Sequence, residues 1–173
     1  MGILSGKRTL VQGGRMIAKD GVKMPRRGTT MSCGYDFFAP ETIDLKPGEW
    51  MMIDTGVSFD GSEDPYMLRM GRPIPRDGGA HTMSIAYPTK WFMMLAPRSG
   101  LSTKYGFRLK NTVGIIDMDY RDTIKAMVTV DEPYTLQKDE KFMQGIVIPF
   151  ATFDSEIAPT ENRTGGHGST GKF

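Results

Sequence analysis

Apolar and polar positions alternate in short runs along most of this chain, and the 3.6-residue spacing of an amphipathic helix is hard to find. In Ile124-Lys125-Ala126-Met127-Val128-Thr129-Val130 the even positions are apolar and the odd ones mostly polar or long, which predicts a strand with one buried face. Residues 142–150 are more continuously apolar and read as a strand covered on both faces. Lys46-Pro47-Gly48-Glu49 puts proline and glycine at the centre of a type II turn, so 42–45 and 50–59 are expected as consecutive strands. Asp131-Glu132-Pro133 and residues 136–139 mark another break. One short helix is expected around 102–106, stopped by Gly106. The pattern as a whole predicts an all-β sandwich or barrel.

Two segments leave this rhythm. Residues 60–90 collect Asp64-Pro65, Pro73, Pro75 and Asp77-Gly78-Gly79, and read as an inserted loop or irregular hairpin. From Pro159 onward the chain is glycine-rich and lacks an apolar pattern that could bury it, which predicts a mobile arm. The expected organisation is one domain over 1–158 followed by the arm 159–173. A length of 173 residues suits a single core of this kind.

Composition narrows the class. The 21 glycines and 11 prolines agree with many turns. A single cysteine, Cys33, excludes an internal disulfide framework and a multi-cysteine zinc site, and points to a reducing, cytoplasmic setting. Its expected role is that of a small buried residue, and the 14 methionines read as adaptable core filler. No stretch reaches the ~20 apolar residues of a membrane span, and residues 1–6 lack the apolar core of a signal peptide. The net charge is only +2, yet residues 1–30 carry seven basic side chains against Asp20 alone. These charges are scattered and not interleaved with aromatics, so they read as a solvated leading segment and no direct nucleic-acid binding is expected.

The residues suited to chemistry lie in five islands. Gly166-His167-Gly168-Ser169-Thr170-Gly171-Lys172 nearly spells a phosphate-binding P-loop, but the next residue is Phe173, where that motif needs a hydroxyl and then a helix. Its glycines and hydroxyls, with Arg163, remain suitable parts for gripping a polyphosphate. The other four are Gly34-Tyr35-Asp36, Pro97-Arg98-Ser99-Gly100, Gly114-Ile115-Ile116-Asp117 with Asp119 and Tyr120, and Gln144-Gly145. Each alone reads as a turn. Taken in order they resemble the five motifs of the trimeric dUTPase family: Cys33-Gly34-Tyr35-Asp36-Phe37-Phe38-Ala39, Pro97-Arg98-Ser99-Gly100-Leu101, residues 111–121, Lys141-Phe142-Met143-Gln144-Gly145-Ile146, and residues 163–171. The likeness runs from about Cys33 onward and leaves out 60–90.

That resemblance implies a jelly-roll-like distorted β-barrel, and hydrolysis of dUTP to dUMP and pyrophosphate in active sites shared among the subunits of a homotrimer. It implies that Asp117 is the general base for water attack on the α-phosphorus and contacts the sugar 3′-hydroxyl. It places Tyr120 under the deoxyribose, where close packing rejects a 2′-hydroxyl, and uses the hairpin with Asn111, Gly114, Ile115 and Ile116 to read uracil. Lys125 stands where the family has another substrate contact. Arg98, Ser99 and Gly100 of one subunit and Gln144 of the next are implied on the triphosphate, with Mg2+ bridging phosphate and water oxygens. No direct metal ligand is implied; Asp36 is a candidate to reach the metal through water, or a structural turn residue. Arg163, Gly166, His167, Gly168 and Ser169 are implied to close over the nucleotide, Arg163 on the γ-phosphate.

Two positions depart from the family pattern. His167 replaces a phenylalanine that stacks on uracil; an imidazole can also stack, with an ordinary pKa near ~6.5. Asp122-Thr123 replaces Gly-Glu and changes the start of the following strand. A dCTP deaminase of the same fold is the nearest rival, but it needs a glutamate on the base hairpin, and residues 107–118 contain none. A different reading makes the protein also a regulatory module that engages a partner protein through 60–90, with Arg69, Arg72 and Arg76 on that surface.

Overall fold

The computed structural model describes residues 16–59, 67–70, 85–88 and 90–150, with backbone alone for 67–70 and 85–88. In chain order the elements are β1 (Met16–Ala18), β2 (Arg26–Arg27), β3 (Gly34–Phe38), β4 (Ile43–Leu45), β5 (Met51–Asp54), β6 (Val57–Phe59), β7 (Met67–Met70), β8 (Ile85–Pro88), β9 (Lys90–Pro97), α1 (Ser99–Tyr105), β10 (Arg108–Leu109), β11 (Gly114–Asp117), β12 (Lys125–Thr129), β13 (Tyr134–Leu136) and β14 (Lys141–Phe150). Five strands form the largest sheet, in the order β11-β9-β14-β3-β2, and three form a second, β10-β12-β5. The pairs β1-β6, β13-β4 and β7-β8 complete the set, and every strand pair is antiparallel. The all-β architecture with one short helix is as expected.

The core lies between the sheets. Phe37, Phe107 and Phe142 are fully buried together with Ile53, Met93, Leu95, Ile124, Val128 and Leu136. Burying each such side chain contributes about 1.5–3 kcal/mol. The alternation predicted for residues 124–130 is present: Ile124, Ala126, Val128 and Val130 face inward. Thr129 is also buried, and its hydroxyl is satisfied by the Glu49 carbonyl. Gly145 at the centre of β14 lets two strands close up, since a Cβ there would sit 2.5 Å from Met93 Sδ and 2.9 Å from Phe37 Cε2.

The type II turn at Lys46-Pro47-Gly48-Glu49 forms, with Gly48 at φ 78° and the Glu49 N–H donating to the Lys46 carbonyl at 3.2 Å. The strands on either side do not pair with each other, however: β4 pairs with β13 and β5 with β12. The single strand expected over 50–59 is two strands, because Gly56 at φ 68° turns the chain between β5 and β6. The helix starts at Ser99, three residues earlier than expected, and ends at Gly106 in the left-handed region.

Three burial expectations need correction. The first half of β14 is buried, but Val147 and Phe150 are exposed, because β14 pairs with β3 only as far as Ile146 and beyond that has β9 as its one neighbour. Cys33 is exposed, in the loop just before β3. The methionines divide: Met93 and Met143 fill the core, whereas Met24 and Met31 are exposed on loops and Met51 and Met52 at the start of β5. Within the inserted region β7 pairs with β8 in register from Met67↔Pro88 to Met70↔Ile85. Among the described residues no helix is long and apolar enough to cross a membrane.

Candidate active site

The hairpin strand β11 lies at the edge of the large sheet, paired with β9 from Gly114↔Leu95 to Asp117↔Phe92. Its turn is tight: Thr112 has φ 65°, and the Val113 N–H donates to the Asn111 carbonyl. Gly114 fits closely there: a Cβ would stand 3.0 Å from Leu95 Cδ1, and the leucine side chain would have to shift. Alternation along β11 turns Ile116 into the core and leaves Ile115 and Asp117 exposed. The side chain of Ile116 is therefore spent on packing, and only its backbone is available to a ligand.

Asn111, Gly114 and Lys125 converge on one cavity of about 260 Å³, whose other walls include Met52, Leu95 and Met127. The next turn carries Asp117 and Tyr120, with the Tyr120 N–H donating to the Asp117 carbonyl at 3.0 Å. Tyr120 is buried against the core, and its phenol donates to the Thr123 carbonyl at 3.2 Å. Lys125 pairs with Asp54 across β12 and β5. Burial alone would raise the Asp54 carboxyl, but the Gly56 N–H, the Thr123 hydroxyl and the Lys19 and Lys125 charges outweigh it and hold the pKa below its ordinary value. This carboxylate therefore stabilises the fold above the ordinary carboxylate range, and the contribution is lost as pH falls through its lowered value.

A second cavity, of about 530 Å³, is lined by Arg98, Gly100, Lys104, Tyr134, Glu140 and Lys141, among others. Arg98 precedes α1, its N–H bonded to the Phe142 carbonyl at 3.2 Å. Its guanidinium donates to Asp36 Oδ1 at 2.8 Å, and Lys141 Nζ stands 2.8 Å from Oδ2 of the same carboxylate. Asp36 is thus clamped between two cations and holds Arg98 in place. Removing it would leave both cations without that partner. On the far wall the Tyr134 phenol bonds Glu140, and burial together with that carboxylate pushes its pKa above the ordinary tyrosine range. Gln144 follows on β14, opposite Asp36 on β3 and Ala96 on β9, and its side chain packs over Gly34, where a Cβ would meet Oε1 at 2.6 Å.

The candidate residues thus fall into two groups, Asn111, Gly114, Asp117, Tyr120 and Lys125 around the hairpin, and Arg98, Ser99, Gly100, Gln144 and Asp36 around the start of α1. Arg163, Gly166, His167, Gly168 and Ser169 lie outside the described residues. Lys141 lines the second cavity and contacts Asp36, a placement that its sequence position does not single out although it stands within the fourth motif. A register shift between Lys141 and Met143 brings it opposite Phe38 and within reach of Asp36, and strand alternation does not reveal such a shift.

Comparison with known proteins identifies the family. The sequence model of the dUTPase family matches residues 80–171, more than half the chain. The chain belongs to the dUTPase family. Among its relatives is the deoxyuridine 5′-triphosphate nucleotidohydrolase of Nautilia profundicola, 30% identical over 155 residues, covering 86% of this chain and 91% of the relative. The corresponding protein of Lactococcus lactis is 32% identical over 162 residues, covering 87% and 89%. Among solved structures, a variant dUTPase from phage phi11 of S. aureus superposes with a TM-score of 0.61 at 18% identity, covering 85% of this chain and 97% of that one. At that identity it supports the dUTPase fold alone; that phage protein coordinates a structural Mg(II) ion.

The donor chemistry of the described residues bears on such an ion. Among them no group of three or more His, Cys, Asp or Glu side chains could hold a metal. Both oxygens of Asp36 already face cations, whose charge disfavours direct coordination of a further cation while each oxygen keeps a lone pair for a water.

Proposed function

We propose that this dUTPase-family chain hydrolyses dUTP to dUMP and pyrophosphate, with Asp117 as general base, keeping uracil nucleotides out of DNA synthesis. The observation that carries the assignment of roles is the convergence of Asn111, Gly114 and Lys125 on one cavity, with Asp117 and Tyr120 in the turn that follows. A uracil in that cavity has backbone groups of β11 and the Asn111 side chain for its polar edge. A cytosine offers its amine where the site needs an acceptor, leaving buried polar groups unpaired. Tyr120 supports the deoxyribose. The Asp117 carboxylate takes a proton from water as its oxygen bonds to the α-phosphorus; the bond to the bridging oxygen breaks and pyrophosphate departs with that oxygen.

Gln144 lies opposite Ala96, two residues before Arg98 in the same chain, so we assign it to that subunit and not to the next; with Arg98, Ser99 and Gly100 it supplies positive charge and hydrogen bonds to the triphosphate. Asp36 would hold a Mg2+ ion through water, and when bound that ion would supply charge dispersal at the triphosphate. Arg163, Gly166, His167, Gly168 and Ser169 complete the site over the nucleotide. We assign the assembly to a homotrimer in the cytoplasm, the host cytoplasm if the chain is phage-encoded. Support for a trimer comes from Val113, Ile115, Val147 and Phe150, large apolar side chains that the described chain leaves exposed along β14 and around β11.

The test is pyrophosphate release across the deoxynucleoside triphosphates and UTP. Release is expected from dUTP, with dCTP and UTP turned over at least about 100-fold more slowly. Ammonia from dCTP without pyrophosphate from dUTP would overturn the assignment in favour of a deaminase.

A further inference from the structure

The corner between β5 and β6 is joined to the start of β12 by more hydrogen bonds than a chain reversal needs. The Thr55 N–H and hydroxyl both donate to the Ile124 carbonyl, at 2.9 and 2.7 Å, and the Ile124 N–H donates to the Val57 carbonyl at 2.7 Å. Asp54 receives the Gly56 N–H on Oδ1 at 2.9 Å and the Thr123 hydroxyl on Oδ2 at 2.8 Å. Lys19 Nζ stands 3.8 Å from Oδ2. The Thr123 carbonyl in turn accepts the Tyr120 phenol. Two hydrogen bonds, joined covalently within Thr123, therefore link the corner to the far end of the Tyr120 ring, while the Tyr120 backbone is tied by its N–H to the Asp117 carbonyl.

We infer that Asp54 and Thr123 are positioning residues that set selectivity for deoxyribose over ribose, by holding the far end of the Tyr120 ring. The inference rests on the reading of Tyr120 as the sugar platform. Rejection of one extra hydroxyl by packing works only if the ring cannot retreat, and a ring anchored at one end can tilt away. Thr123 contributes its carbonyl to the phenol and its hydroxyl to Asp54, so it is fixed from the opposite side while it fixes the ring. Neither residue needs to touch the nucleotide to do this.

The experiment is the ratio of kcat/KM for dUTP to that for UTP, which does not depend on how much of a variant is folded. Thr123→Val removes the hydroxyl and is expected to lower the ratio about tenfold while most dUTP turnover remains. Thr123→Ser keeps the hydroxyl and should keep the wild-type ratio. Asp54→Ala removes the acceptor from the other side and should reproduce the drop, so the inference stays testable if Thr123→Val does not fold. An unchanged ratio in either active variant would overturn it. Tyr120→Ala separates the two layers: if it keeps the wild-type ratio, the sugar-platform reading falls as well, whereas loss of selectivity there with Thr123→Val unchanged defeats only the coupling.

Discussion

Replacing Asp117 by asparagine lowers the turnover of dUTP by about 10³-fold and leaves nucleotide affinity within a few-fold of the parent. The amide is isosteric with the carboxylate and can still meet a sugar hydroxyl, but it cannot take a proton from water. Asp117 lies at the exposed end of β11, outside the apolar core, so the substitution leaves no cavity and the fold should survive it. The check pairs steady-state kinetics with a direct binding measurement using a non-hydrolysable dUTP analogue. Weakened binding with unchanged kcat would mean that the carboxylate serves affinity and not proton transfer.

Ending the chain at Asn162 is expected to lower kcat/KM for dUTP by about 10²–10³-fold. That truncation removes Arg163 and the run from Gly166 to Ser169, and with them a guanidinium and several backbone N–H groups that can meet the γ-phosphate. Residues 159–172 have no apolar pattern that could contribute to a core, so the melting temperature should change little. Activity close to that of the full chain would remove the arm from the mechanism. A collapse of thermal stability would instead assign it a structural task.

How much of this was legible in the sequence depends on the kind of contact involved. The buried face of residues 124–130 could be read directly, because a strand alternates with period two and a core accepts only its apolar side. Gly106 and Gly48 were equally readable, since each takes a positive φ that glycine adopts at low cost. The break of 50–59 at Gly56 was less visible: Asp54-Thr55-Gly56 lies inside an otherwise suitable strand pattern, and only the hydrogen bonds to Thr123 and Ile124 show why the chain turns there. Exposure of Cys33, Met24 and Met31 follows from their loop positions, which residue type alone does not reveal.

For the site, the order of the motifs carried the family, but not the arrangement of its charges. Asp36 and Arg98 lie 62 positions apart and belong to different motifs, yet the structure ties them into one ion pair and adds Lys141 from a third segment. Sequence offers no rule for such a long-range pairing, because it depends on β3 and β14 being neighbours and on the register shift within β14. The same holds for Thr123, which in sequence is a departure from the family pattern and in the structure is a bridge between Asp54 and Tyr120.

The central claim is that water, activated by Asp117, attacks the α-phosphorus of dUTP. Hydrolysis in ¹⁸O-labelled water, with mass analysis of both products, tests it most directly. The claim predicts one labelled oxygen in dUMP and none in pyrophosphate. Label in the pyrophosphate and none in dUMP would place the attack at the β-phosphorus and contradict it.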